Sequence, residues 1–302
     1  MPVLLTVISA STPLLLAATG ELVTERSGVL TLGVEGMMLV GAIAAFATAT
    51  ATGSTLLGIV AAAGAGVLLA LLFAVLTLTL LANQVATGLA LTIFGTGLSA
   101  LVGASFVGFS VETLPKLAIP GLSDLPVIGP LLFGQDLLVY LSLAMVGAVA
   151  WFLVRSRGGL ILRAVGDSHD AAHRIGYPVI AIRYAATAFG GLMCGLAGAY
   201  MSLAYTPMWA ENMTAGRGWI ALALVVFATW RPARLLLGAY MFGGITILQL
   251  HAQAFGLNIA SQFMSMLPYL ATVVVLVLIS SDRSKIRLNA PACIGKPFHP
   301  AG

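Results

Sequence analysis

"TGELVTERSGVLTLGVEGMMLVGA", residues Thr19–Ala42, interrupts a chain that otherwise avoids charge. Three glutamates (Glu21, Glu25, Glu35) and Arg26 fall within fifteen positions here, among five glycines. The runs on either side, beginning with "PVLLTVISASTPLLLAAT", are apolar and approach the roughly 20 residues a helix needs to cross a bilayer. The stretch therefore reads as a charged turn between two membrane crossings. On that reading Glu21, Glu25 and Arg26 sit at the membrane interface, where charge is cheap, and a second helix starts near Ser27. Only Glu35 is carried into the next span, within about two turns of its start, and an intramembrane acid is costly.

The rest of the chain agrees. Charged residues make up 8% and hydrophobic residues 60% of the sequence, with a mean hydropathy of +1.05. A soluble domain carries about 25% charged residues, so this is a polytopic membrane protein. Met1–Ser11 contains no Lys or Arg, so the first segment reads as a retained helix rather than a secretory signal. Cys194 in an apolar run and Cys293 in the tail suggest neither a disulfide framework nor a metal site.

The distribution of charge orients the spans. Arg155, Arg157, Arg163, Arg174 and Arg183 crowd one connecting segment, and Arg283, Lys285, Arg287 and Lys296 crowd the tail. The segment from Ser110 to Gln135 holds Glu112, Asp124 and only Lys116. The positive-inside rule places the first two regions in the cytoplasm and the third outside. Spans alternate consistently at 3–19, 29–50, 55–81, 86–109, 136–154, 183–204, 217–230, 235–253 and 266–281. The expected fold is an all-α transmembrane bundle of about nine helices (eight to ten), forming one transmembrane domain over 1–302 with the N-terminus outside and the C-terminus inside.

Residues 217–230 are short for a span. Fourteen helical residues rise about 21 Å, against a hydrocarbon core of about 30 Å. A broken or re-entrant helix near 205–230 is therefore expected, and irregular backbone at membrane depth survives only inside protein or beside water. This makes Trp209, Glu211, Asn212 and Arg217 candidates for an outer gate on a pathway. The alternative is an interfacial Trp anchor with a local Glu–Arg pair. In "FGGLMCGLAGAY", Gly191, Gly195 and Ala199 recur every four residues and predict one smooth packing stripe. Gln249 and Gln253 share a helix face and could bond a sugar hydroxyl or base edge, or join helices. Asn83 and Gln84 fall in a tight turn.

Several chemistries lack their motifs. The only Gly-Lys pair, Gly295-Lys296, is followed by Pro297, so the chain has no P-loop for ATP hydrolysis. "HDAAH", His169–His173, has metalloprotease spacing but Asp170 where the glutamate belongs, which favours a polar helix face. Nothing points to nucleic acid. In "GGLILRAVGDSHDAAHRIGYPV", Asp167 or Ser168 can cap a helix, Gly176 can end it and Pro178 blocks its continuation. A helix of about two turns is expected within a cytoplasmic segment 155–182, followed at the other end of the chain by a short tail, 282–302.

"GELVTERSGVLTLGVEGMMLVGA", "AVGDSHDAAHRIGYPV", "WAENMTAGRGWIALALVVFATWRPARLLLGAYMFGG" and "APACIGKPF" occur in that order. Together they resemble the permease subunits of bacterial ABC importers for simple sugars and nucleosides, a group that extends to ribose and branched-chain amino-acid permeases. The resemblance implies a non-enzymatic subunit in the inner membrane, surrounded by membrane lipid, that pairs with a second, paralogous permease. It also implies two cytoplasmic ABC ATPase subunits and a periplasmic or lipid-anchored substrate-binding protein. No cofactor belongs to this chain, since ATP and Mg sit on the ATPases. By the same resemblance Gly166, Asp167, Asp170, Ala171, Ala172 and Gly176 form the coupling helix that docks on the ATPase. Thr31 stands where the family often has Asn, and Ala228 or Thr229 where it often has Gly, which touches a polar contact near the pathway.

Glu35, with Arg26 or Arg217 as possible partners, is either a structural carboxyl or a functional one. A proton-coupled secondary transporter would use it. A permease for branched-chain amino acids, or a membrane assembly protein, is a further alternative.

Overall fold

In the computed structural model the described residues are 2–117, 133–254 and 289–299, with isolated positions between 263 and 277. Among them are ten helices and no strands, only two isolated bridges. Their bounds are α1 (Pro2–Arg26), α2 (Val34–Thr52), α3 (Thr55–Ala74), α4 (Gln84–Gly103), α5 (Leu137–Arg155), α6 (Arg157–Asp167), α7 (His169–Arg174), α8 (Val179–Tyr200), α9 (Arg217–Phe227) and α10 (Pro232–Ala254). Both α3 and α8 end in a five-residue π turn, Val75–Thr79 and Met201–Tyr205. Seven of the helices are long and apolar enough to cross a membrane, and α9 is a shorter apolar helix. The expected span at 266–281 lies for the most part outside the described residues.

Helices α1, α2 and α8 form the centre, with α3 laid against α2 and α8. The anticipated small-residue stripe is what permits this. A Cβ on Gly195 would overlap the carbonyl of Ala62 on α3, and one on Gly191 would overlap Ala70 and Gly66. On the neighbouring face Gly198 meets the backbone of Met38 on α2 in the same way. Lipid offers no hydrophobic drive for helices to associate, so backbone-close van der Waals contact of this kind is what holds them. The outer faces of α3 and α4 carry exposed Leu56, Leu68, Ile93 and Leu101, as a lipid-facing surface should.

Two expectations at the first turn need correction. Helix α1 does not stop near residue 19 but continues to Arg26, and the non-helical turn is confined to residues 27–33. Glu21 and Glu25 are not at an interface: they are 0% and 2% exposed. The reason is a second layer of protein over this end of the bundle. Arg26 donates to the carbonyls of Trp230 (2.9 Å) and Asn289 (3.0 Å), and the chain around Gly166 lies directly on the Arg26 carbonyl. Hydropathy locates the bilayer but does not register protein stacked outside it.

The segment before α8 also holds more structure than expected. Ser156 caps α6, accepting from Gly159 N at 2.9 Å, and Ser168 rather than Asp167 caps α7. Gly176, at φ +91°, closes the turn after α7 in a left-handed conformation that costs glycine little.

Candidate functional site

The break expected near 205–230 is present. After the π turn of α8 the chain runs without helix from Thr206 to Gly216, and only then starts the eleven-residue α9. Its first part is tied to the loop after α4, through Val111 N–H on the Pro207 carbonyl (3.2 Å) and the Ser110–Met208 bridge. Trp209 then turns inward among Ala42, Ile43 and Phe46 of α2, at 4% exposure. Its indole occupies the place a Cβ on Gly103 would take. Trp209 is thus buried rather than exposed at an interface, and it is the wedge that seats the segment against α2 and α4.

Further along, the segment reaches Glu35 in the first turn of α2. One carboxylate oxygen accepts from Thr214 Oγ1 (2.6 Å) and Gly216 N (2.8 Å), and the other accepts from Gly218 N (2.6 Å). These N–H groups belong to the start of α9, where backbone donors have no helical partner and the helix dipole favours negative charge. Gly218 must lack a side chain, because a Cβ there would stand 2.6 Å from the backbone and carboxylate of Glu35. Neither arginine anticipated as the partner of Glu35 reaches it. Arg26 bonds Trp230 and Asn289, while Arg217 donates to the Met213 and Thr214 carbonyls (3.4 and 3.3 Å) and lies over Tyr205, 5.2 Å from the ring centroid. Glu35 therefore caps the N-terminus of a short helix packed against α1, α2 and α10.

Holding that half-helix requires unusual backbone. Asn212, Ala215 and Gly216 have φ of +55°, +45° and +81°. Strain of this kind costs on the order of 1–3 kcal/mol per non-glycine residue and persists only where surroundings enforce it. Glu211, Asn212 and Ala215 are exposed and Arg217 is half-buried, so the segment presents a polar face away from α2. Thr31 is buried, its hydroxyl accepting from Gly33 N (3.1 Å) to shape the turn before α2. Gln84 supports the same turn by accepting from Leu30 N at 2.8 Å, and Asn83 caps α4. Gln249 is half-buried on α10, and the side chain of Gln253 lies outside the described residues.

The other end of α9 meets a second buried carboxylate that the sequence reading had left at the surface. Glu25 Oε2 accepts from Trp230 Nε1 at 2.6 Å. Thr229 and Trp230 both adopt left-handed φ, +49° and +53°, which turns the indole back toward α1. Glu21 lies one helical turn away, and neither of its oxygens has a hydrogen-bond partner among the described residues. The motif signal for Trp230 was visible in "ATWRPAR", but nothing local in the sequence pairs it with Glu25.

Of the expected coupling residues, Asp167, Asp170, Ala171 and Gly176 are exposed, together with His173, Arg174 and Ile175. Gly166 and Ala172 are buried within the chain: Gly166 against Arg26, Ala172 in a small cluster with Val165, Val179 and Phe298. The two histidines of "HDAAH" do not converge on a common point. Their rings flank Phe298, with centroids 5.2 and 5.3 Å away. Burial and then the neighbouring Arg183 guanidinium push the His169 imidazole below its ordinary range, with Asp170 pulling the other way. Among the described residues no group of three His, Cys, Asp or Glu side chains is placed to hold a metal ion. At the opposite end of the bundle a cavity of about 660 Å³ is lined by Ser9, Thr113, Lys116, Gln135, Asp136 and Tyr200 among others. Asp136 caps α5 there, and burial raises its carboxyl while the Val139 and Leu138 amides and Lys116 oppose the rise.

A bundle of seven helices able to cross a membrane, with one shorter apolar helix capped among them, is the architecture of a polytopic membrane protein. Residues 3–279 match the family described as branched-chain amino acid transport system / permease component, and the chain belongs to that family. It is similar to TsgC13 of Haloferax volcanii, provisionally assigned as a glucose ABC transporter permease protein, at 41% identity over 97% of this chain and 95% of the relative. The nucleoside ABC transporter permease protein NupC of Lactococcus lactis is 33% identical, over 89% of each chain. The guanosine ABC transporter permease protein NupQ of Bacillus subtilis is 29% identical over 95% of this chain and 92% of its own. No solved structure gives a significant match. The chain is an ABC transporter permease, with sugar and nucleoside permeases as its relatives.

Proposed function

We propose that the chain is the membrane permease of an ATP-driven importer for simple sugars or nucleosides. A binding protein delivers the solute, a second permease completes the path, and cytoplasmic ATPases supply the work. The N-terminus lies outside, and the basic end of the bundle faces the cytoplasm of a cell's inner membrane. Segments 20–28, 155–178, 229–234 and 289–299 meet at one end of the bundle, which supports a single cytoplasmic face carrying most of the positive charge.

The observation that carries the reading is the polar break between α8 and α9. It presents donors and acceptors on exposed Glu211 and Asn212 and half-buried Arg217, which suits a polyhydroxylated solute better than the aliphatic side chain of a branched-chain amino acid. The relatives spanning nearly the whole chain are named for glucose, nucleosides and guanosine, which supports the same choice. A proton-coupled mechanism through Glu35 is disfavoured, because both oxygens of that carboxylate are already occupied by donors of α9 and its lead-in.

The test is uptake of radiolabelled glucose, ribose and guanosine into proteoliposomes holding this permease, its partner permease, the ATPases and the binding protein. Uptake should require ATP and the binding protein and should ignore a proton uncoupler. Uptake that persists without ATPases and collapses with the uncoupler would refute the proposal.

A further inference from the structure

The tail motif "APACIGKPF" is absorbed neither by the bundle nor by the solute path, yet it is among the more densely bonded parts of the basic end. Cys293 N donates to the Gly166 carbonyl (2.9 Å), at the end of α6, and Gly295 N donates to the Gly28 carbonyl (3.1 Å), in the α1–α2 turn. Cys293 Sγ donates to the Asp167 carbonyl at 3.4 Å, and Arg26 reaches the Asn289 carbonyl at 3.0 Å. Phe298, 5% exposed, fills the space between Val165, Ala172 and Val179 and lies against both histidine rings of α7.

These contacts converge on Arg183, among the largest fully buried side chains, at 1% exposure. It donates Nε to the Ser27 carbonyl (3.2 Å), one terminal nitrogen to the Lys296 carbonyl (3.2 Å), and the other to His169 Nδ1 (3.1 Å). One guanidinium thus joins the α1–α2 turn, the tail, α7 and the first turn of α8. Among the described residues no carboxylate forms an ion pair with it; the charged and titratable groups around it are His169, Asp170, Lys296 and Cys293.

Helix α7 has six residues and buries only His169 and Ala172. Isolated helices shorter than about 12–15 residues are marginal in water, so its position must come from what it leans on. It leans on the tail. Its other face, with Asp170, Ala171, Arg174 and Ile175, stays exposed.

We propose that residues 289–299 are a positioning element: they lock α7 to α1 and α8 so that a push on the exposed face of α7 moves membrane helices instead of bending a loop. The inference rests on the importer reading, in which an ATPase supplies the push. Arg183 and Phe298 act through α7 and are positioning residues; neither touches solute or nucleotide.

The experiment uses the reconstituted importer with the wild-type chain, a chain ending after residue 288, and the Phe298→Ala and Phe298→Leu variants. Solute transported per ATP should fall in the truncation and in Phe298→Ala by a factor in the roughly 5–150-fold range usual for coupling between sites. Phe298→Leu, which keeps an apolar filler, should recover most of it, and the amount of assembled complex should stay unchanged. Wild-type transport per ATP in the truncation, or loss of assembled complex in place of lost coupling, would overturn the proposal. A second measurement needs no ATPase. In inside-out vesicles carrying the permease alone, trypsin should cut after exposed Arg174 faster in the truncation than in the wild type. Equal rates would overturn the hold of residues 289–299 on α7 even if uptake behaves as proposed, whereas faster cutting without ATP-dependent uptake would leave that hold standing and overturn its coupling role together with the importer reading.

Discussion

Replacing Glu35 is the sharpest test of what holds the half-helix. Glu35→Ala removes an acceptor shared by Thr214 Oγ1, Gly216 N and Gly218 N, and Thr214 and Gly218 are buried. Each buried donor left without a partner costs about 1–3 kcal/mol, and loss of the charge at the α9 N-terminus adds up to about 2 kcal/mol. The sum is about 2–8 kcal/mol, a large part of a typical folding free energy of about 5–15 kcal/mol. Glu35→Gln keeps one acceptor oxygen but points an amide donor at another donor, so about 1–3 kcal/mol is expected. The assay is thermal unfolding in detergent together with membrane abundance and ATP-driven uptake. Stability should fall in the order wild type, Gln, Ala, and uptake should follow abundance. Full stability of Glu35→Gln combined with abolished uptake would refute the capping role and restore a functional carboxyl.

Three further outcomes are expected. Trp230→Phe keeps the ring but leaves buried Glu25 without its 2.6 Å donor, so it should cost about 1–3 kcal/mol, and Trp230→Ala more, by the same unfolding assay. Ala171→Arg and Ile175→Asp alter exposed positions of the α7 region, so stability should move by no more than about 0.5 kcal/mol. ATPase co-purification with these variants should drop, and unchanged capture would remove that face from the docking surface. His169 is held neutral because its Nδ1 accepts from Arg183 and its folded value lies below the ordinary one. Its contribution to stability is therefore fully present above its unfolded value, about 6.5, and is lost as pH falls through the folded value. Unfolding midpoints across pH 5–8 should show this slope, and His169→Asn, which keeps an acceptor, should flatten it.

The crossings were legible because hydropathy and span length act locally, and the break was legible because 217–230 is too short to span. The glycine stripe of α8 was equally readable, since a four-residue spacing puts Gly191, Gly195 and Ala199 on one face. Glu35 was recognised as a costly acid, but its partners lie about 180 positions away, on a segment whose backbone conformation no periodicity announces. Glu21 and Glu25 were misplaced because local charge was taken to mean water. Water is kept from them by α6, the end of α9 and the tail, three pieces brought together only by folding. Trp209 went astray likewise: an indole near a span end suggests a lipid interface, and only Gly103, about a hundred residues earlier, makes room for it indoors.

The shortness of α9 has a consequence for how the protein is made. Eleven residues rise about 16 Å, so α9 cannot leave the translocation machinery as an independent span. Its lead-in carries Glu211, Asn212 and Arg217, and its free N–H groups have no acceptor in lipid until Glu35 is in place. The segment from Thr206 to Trp230 must therefore be posted into a slot that α1, α2 and α4 have already shaped, with α10 following as its anchor. A defect in that slot is therefore expected to surface as a topological error during synthesis before it surfaces as a transport defect.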